Sequence, residues 1–501
     1  MKRLIFFIFL TAFLAACADT DNNTGSVQET QTGEVLKEQP DTEQMPVQPP
    51  EFTAADVDYE GYNFRILGYD GAAAGTWQAA AISEIIAEEE TGDPINDATY
   101  KRNREIESLY NIEFGIVPVT YPNRGDFAAK FTRAVLAGED LFDAVFLLGD
   151  SLSAALSRNN MVYDLHTVQT LDLSKSWWDQ NSIKAMSING KLSTAIGDMN
   201  LYSAFATVNI FANKQLMQDY SIDNLYQLVN DGKWTWDAMY EIMKLTADDL
   251  NGDGIIDHND QVGLSTQHSY LYNAITSAGE TMTPKDSDDI PSLAPNTEKI
   301  SAIVSKIVPI SQDKSTTING DDITGYNNVF FDLLMPKFRQ NEMMFFITQM
   351  MISFELRSMD ADFAVLPLPK HDENQENYGT VIANSWGTYT VIPTTCTDTN
   401  RAGHILDAMG YYSQQYIMPA YYDVTVTNKI IRDDDSAEMM SIIFNNRNFD
   451  LAYLYNWGDI SGMFFGISKS GNADTFISQL ERNEPRINTA IQNTLDMLEI
   501  N

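Results

Sequence analysis

The spacing of apolar residues along this chain switches between the periods of strands and of helices. Residues 63–68, Asn63-Phe64-Arg65-Ile66-Leu67-Gly68, predict a buried strand that ends in a loop. Gly92-Asp93-Pro94-Ile95-Asn96-Asp97 reads as a turn and helix cap, and the helix continues through Tyr100 and Asn103. Residues 112–119 predict a second strand, residues 127–136 a helix, and the apolar run 142–148 a third strand. Strands alternating with helices predict an α/β fold with a mainly parallel sheet. Ligands of such sheets sit beyond the carboxyl ends of strands, which marks Asp70, Trp77 and Asp150 as candidate ligand-binding residues.

Later elements continue the alternation. Residues 208–212 predict a strand, 224–229 a helix, and Thr235 caps the helix opened by Trp236-Asp237. The polar stretch 269–328 reads as helices and loops peripheral to the core. The Met- and Phe-rich residues 339–351 read as core. Strands are expected at 363–366, stopped by Pro367 and Pro369, and at 388–391. Residues 402–415 and 436–444 read as helices, and 472–500 as a pair of helices.

The amino terminus reads as an address. Lys2 and Arg3 precede an apolar run too short to span a bilayer, which ends in Leu14-Ala15-Ala16-Cys17. This resembles the bacterial lipobox, in which the cysteine is lipidated and becomes the new amino terminus. The expectation is a signal peptide over residues 1–16, lipidation at Cys17, and a disordered tether over 17–53, too polar to fold. The localisation that follows is the extracellular face of a bacterial cell membrane, held through the lipid anchor alone. Cys396, the only other cysteine, reads as a small structural residue, so no disulfide framework exists.

Composition narrows the partners. With 501 residues and 44% hydrophobic content, the chain can bury a sizeable core. A formal charge of −38 repels nucleic-acid phosphates and anionic lipid, so no nucleic-acid partner is expected.

One loop stands out by spacing. Residues 249–260 read D-L-N-G-D-G-I-I-D-H-N-D. Asp249, Asn251, Asp253, the Ile255 carbonyl, Asp257 and Asp260 fall where an EF-hand-type loop supplies oxygen ligands, and Gly254 sits at its sharp turn. Position twelve carries Asp260 instead of the usual Glu, as in dockerin loops. A structural Ca²⁺ is the expectation; turn chemistry in an acidic protein is the alternative.

Several segments together carry a family resemblance: Gly92 to Ala98; Trp177-Trp178-Asp179; Phe211-Ala212-Asn213-Lys214; Gly232-Lys233-Trp234-Thr235-Trp236-Asp237; the calcium-like loop; Leu366-Pro367-Leu368-Pro369-Lys370; and Arg432-Asp433-Asp434-Asp435-Ser436. In order and spacing the chain resembles the extracellular solute-binding lipoproteins of bacterial ABC importers, the family that includes maltose-binding protein. The resemblance implies a two-lobed type II fold, each lobe a sheet flanked by helices, with ligand bound in the cleft and a hinge between. The implied lobes are residues 54–205 with 398–445, and 206–397 with 446–501, the latter carrying the calcium-like loop. Crossings are expected near 202–207, 393–397 and 445–449. It also implies a carbohydrate, an oligosaccharide above all, delivered to ABC permease subunits by a monomer. Thr348 and Gln349, Trp386 beside a crossing, and Trp457 beyond another join the candidate ligand-binding residues; Trp178 and Trp236 read as packing.

Other classes stay open at this point. A peptide or other non-sugar solute, or a sensor role, fits the same fold. An extracellular carbohydrate-active enzyme finds no support in a G-x-S-x-G, an H-E-x-x-H or a phosphate-cradling loop, so the expectation is a protein that is not an enzyme. An adhesion role of the dockerin kind would need a second loop of the same type.

Overall fold

Alternation in β1 (Tyr62–Tyr69) buries Phe64 and Ile66 completely. β1 pairs in parallel with β2 (Ile112–Val119) along its whole length. Parallel neighbours need a crossover, and the helix Pro94–Tyr110 supplies it. Asp93 starts that helix: its Oδ1 accepts the N–H groups of Ile95 and Asn96, both at 3.0 Å, and Pro94 takes the first helical position. Asn111, with φ 50°, ends it. β3 (Ala144–Leu148) is buried at every residue and lies parallel to β1. The structure is a computed structural model that describes residues 52–69, 84–119, 124–156, 160–356, 359–383, 386–427 and 434–500. The expectations at Cys17, Asp70 and Trp77, and those for the signal peptide and for all but the last two residues of the tether, lie outside these residues.

Two sheets organise the chain. The first has the order β2-β1-β3-β9, with β9 (Thr388–Val391) antiparallel to β3. The second contains β4 (Val208–Asn213), β5 (Val262–Thr266), β6 (Thr317–Asn319), β7 (Met343–Gln349) and β8 (Phe363–Leu366), in the order β6-β5-β7-β4-β8. The sheets are mixed rather than mainly parallel: β4 runs antiparallel to both its neighbours. Helices flank both, which gives the expected two-lobed α/β architecture. Among the described residues no helix is long and apolar enough to cross a membrane.

Two expectations about elements change. Residues 269–328 are not peripheral: the helix Tyr270–Ser277 is buried throughout, and β6 closes one edge of the second sheet. The carboxyl-terminal pair is one helix, Phe476–Met497, that runs on through Pro485 after a single 3₁₀ turn. The Met- and Phe-rich segment is core as expected, and forms β7, nearly all buried between β4 and β5.

The chain leaves the first sheet at 206–207, between the helix Leu201–Phe205 and β4. It returns ahead of Thr388, since β9 pairs with β3, so the second crossing precedes the expected 393–397. The helix Asp434–Asn445 packs against β8, so the stretch 398–445 divides between the two sheets instead of staying with the first. At the junction Thr207 bridges Ile382 and Thr380 bridges Arg447, so three strand-like segments lie side by side.

Candidate functional site

The carboxyl ends of the two sheets meet at these crossings, and backbone hydrogen bonds show how. Beyond β3, the Gly149 N–H donates to the Gly387 carbonyl at 3.1 Å. The Ala383 carbonyl accepts from Trp386 N–H at 2.8 Å, and Ala383 N–H donates to the Ala206 carbonyl at 2.9 Å. Beyond β7, Met350 N–H donates to the Thr207 carbonyl at 2.9 Å. A continuous path thus joins the end of β3 to the end of β7. Asp150, Trp386 and Gln349 are each next in sequence to one of its linked residues, with Thr348 one further. The structure places these four expected residues along one hydrogen-bonded backbone path.

Their side chains differ in availability. Asp150 is exposed in the first turn of the helix Gly149–Leu156, and its Oδ1 accepts the Ser151 N–H at 2.7 Å. Trp386 is half-buried. Thr348 is buried, and its hydroxyl donates to Gln349 Oε1 at 3.2 Å. Gln349 Nε2 in turn donates to the Tyr270 hydroxyl at 3.3 Å, so Thr348 orients the amide that reaches the junction. Burial raises the Tyr270 hydroxyl pKa, keeping it a neutral donor and acceptor.

Sequence reasoning missed three contributors. Tyr270 opens a helix directly after β5, but lay in the stretch read as peripheral. The helix Leu451–Tyr455 packs against Gly149–Leu156, and its Tyr453 ring meets Tyr272 edge-on at 5.1 Å. Asp450 caps that helix by accepting Ala452 N–H at 3.0 Å, and also accepts from Tyr272 hydroxyl and Met282 N–H at 2.9 Å and Thr283 hydroxyl at 3.2 Å. Glu84 is buried where β9 begins: its Oε2 accepts Tyr202 N–H at 2.6 Å and the Thr388 hydroxyl at 2.8 Å. Burial pushes its carboxyl up to about 8, against those two hydrogen bonds and the Arg102 charge. The surrounding sequence offers no spacing signal for Glu84; the neighbouring acidic run Glu88, Glu89 and Glu90 is the exposed face expected.

Trp457 does not open onto this junction. Its ring stacks on Tyr455 at 5.0 Å, its Nε1–H donates to Thr494 at 2.9 Å, and it is 3% exposed. It fastens the carboxyl-terminal helix, a packing role its position in the sequence did not reveal. Trp178 and Trp236 are buried as expected; Trp177 and Trp178 both donate to Asp407 Oδ1, at 2.8 and 3.2 Å. Cys396 is buried, and burial pushes its thiol up to about 11, so it stays protonated at neutral pH.

The calcium-like loop forms a closed turn. Gly254 has φ +83°, which the position-six glycine allows. Asp249 accepts the N–H groups of Gly252 at 2.8 Å and Gly254 at 2.7 Å, which hold its carboxyl below the usual range. Buried Asp260 accepts from Leu250 at 3.1 Å and Asp257 at 2.9 Å, tying the loop's ends together. The donor set is all oxygen, which suits a hard cation. In this conformation, however, the carboxylates cap their own backbone. Among the described residues no group of three His, Cys, Asp or Glu side chains is gathered to hold a metal.

At the level of sequence no family model and no curated protein matches the chain. Solved structures do match in fold. The sugar-binding protein MalE of the phytopathogen Xanthomonas citri aligns over 87% of this chain and 99% of its own, with TM-score 0.54 and 11% identity. A cyclo/maltodextrin-binding protein solved with maltotetraose aligns over 88% and 99%, with TM-score 0.51 and 13% identity. An ABC substrate-binding protein of Listeria monocytogenes solved with cycloalternan aligns over 88% and 100%, with TM-score 0.50 and 11% identity. The matches span nearly the whole of those proteins and both sheets of this one; the chain has the two-lobed type II fold of the maltose-binding-like ABC substrate-binding proteins.

Proposed function

We propose that this chain is an extracellular, lipid-anchored binding protein that captures an oligosaccharide between its lobes and passes it to an ABC permease. The observation that carries the reading is the junction itself. Its hydrogen-bonded backbone path runs past a carboxylate (Asp150), an indole (Trp386) and an amide (Gln349, bonded to the Tyr270 phenol) at the carboxyl ends of both sheets, in a fold whose solved relatives include sugar-binding proteins. Hydroxyl-rich rings are recognised by such a set: carboxylate and amide oxygens accept from hydroxyls, and the indole covers the C–H face. The groups are suited to holding a neutral ligand, and turnover of a glycan by the purified protein would replace this reading with an enzyme.

The test is calorimetric titration with maltotetraose and cycloalternan, followed by other oligosaccharides and by peptides. Saturable binding of an oligosaccharide, lost or weakened in Asp150→Asn and Gln349→Ala variants that melt normally, supports the reading. Binding of peptides with no response to any carbohydrate overturns the ligand class while leaving the fold untouched.

We further propose that residues 249–260 bind Ca²⁺ as a stabiliser of the second lobe. Asp249, Asn251, Asp253, the Ile255 carbonyl, Asp257 and Asp260 would hold the ion, as the oxygen-only donor set suggests, and ligand specificity would not depend on it.

A further inference from the structure

A cavity lies where residues around the helix Gln180–Met186, the helix Met418–Thr427 and the segment following Asp434–Asn445 come together. Its volume is about 510 Å³, within the range that holds small organic ligands. Three aromatic residues, Trp178, Tyr422 and Phe444, line it. Its charged lining is Asp179, Asp198 and Arg447.

The charges do not cancel. Arg447 is committed to Asp179, guanidinium nitrogen to carboxylate oxygen at 2.7 Å, with both side chains largely buried. Among the described residues no cation lies within ion-pair distance of Asp198, and Gln414 Nε2 donates to its carboxylate at 2.9 Å. Burial pushes the Asp198 carboxyl up to about 7, against the nearby Arg447 charge and the Gln414 hydrogen bond. With Asp198 ionised, as an entering cation would favour, the cavity offers one net negative charge among aromatic rings. That combination favours a positive ligand that can also present C–H surface to the rings, since a cation near aromatic faces gains from their quadrupoles.

We propose that this cavity is a second ligand site, selective for a small organic ammonium ion, with Asp198 as counter-ion and Trp178, Tyr422 and Phe444 as its aromatic wall. The site is independent of the oligosaccharide reading. It touches the lobe junction through Arg447, whose segment lies beside Thr380 at the crossings.

The experiment is calorimetric titration of the full chain with choline and with 3,3-dimethylbutan-1-ol, which has the same shape but carbon in place of the charged nitrogen. Choline should bind one site, with the neutral isostere at least tenfold weaker. Asp198→Asn should weaken choline at least tenfold, and Tyr422→Leu should weaken it too, while neither changes the thermal midpoint enough to signal unfolding at the titration temperature. Absence of choline binding at 10 mM, equal binding of the isostere, or unchanged choline binding by a folded Asp198→Asn variant overturns the proposal. Should Asp198→Asn fail to fold, Tyr422→Leu and the isostere comparison decide by themselves.

Discussion

The loop 249–260 and the lobe junction both depend on carboxylates, yet they are built in opposite ways. In the loop every carboxylate caps backbone within the same twelve residues, and most of the loop is exposed. At the junction Glu84 answers to Tyr202 and Thr388, and Asp450 to Tyr272, Met282 and Thr283, all of them buried and far off in sequence. The difference teaches where the fold can bear change. A local turn can be remade by its own backbone and by water; a buried acceptor shared by distant segments has no substitute.

The largest expected effect is at Asp450. Asp450→Ala leaves four donors without their acceptor and should cost roughly 3–5 kcal/mol of stability by urea unfolding. A cost below about 1 kcal/mol would erase the contrast with the loop. Glu84 comes next, and acts through pH. Its folded pKa of about 8 lies above the ordinary 4.5, so between those values the folded chain holds a proton that the unfolded chain has released. Stability therefore falls as pH rises through that window and levels off above about 8. Glu84→Gln, neutral throughout, should lower the proton-linked slope of the melting temperature between pH 5 and 8 by up to one proton; an identical slope in the variant would show that Glu84 does not titrate there. Third, Gln349→Ala should weaken oligosaccharide binding about tenfold, roughly 1.4 kcal/mol, with an unchanged melting point, whereas Trp457→Phe should leave binding alone. Smallest is the loop. With Ca²⁺ at about five times its Kd, chelation by EDTA should remove about 1 kcal/mol, seen as a lower melting temperature that added calcium restores and that Asp253→Ala does not show. No response to EDTA would make the loop a turn alone.

The same contrast explains what could be read from the chain. β1 and β2, the Asp93 and Thr235 caps and the positive φ at Gly254 are set by residues within a few positions of each other, and the sequence showed them. The proposed ligand residues divide along that line. Asp150 was legible because it follows a strand end, whereas Thr348 and Gln349 came from the family resemblance. Trp386 was placed by resemblance and stands at the crossing. Trp457 was misplaced because its partner, Thr494, sits on another helix that no local pattern connects to it. Tyr270 went unnoticed because its short buried helix, with Asn273, Thr276 and Ser277 inside, lies within a longer stretch that is polar. The second crossing was set too late for a related reason: strand pairing between Thr388–Val391 and β3 is a fact about two distant segments.

That pairing has a consequence for how the protein is made. β9 leaves the ribosome only after all five strands of the second sheet, so the second sheet can close before the first is complete. Until then β3 shows an unpaired, wholly apolar edge, the kind of surface on which nascent chains join one another. Synthesis that stalls between residues 366 and 388 would release a chain with one finished sheet and one adhesive one.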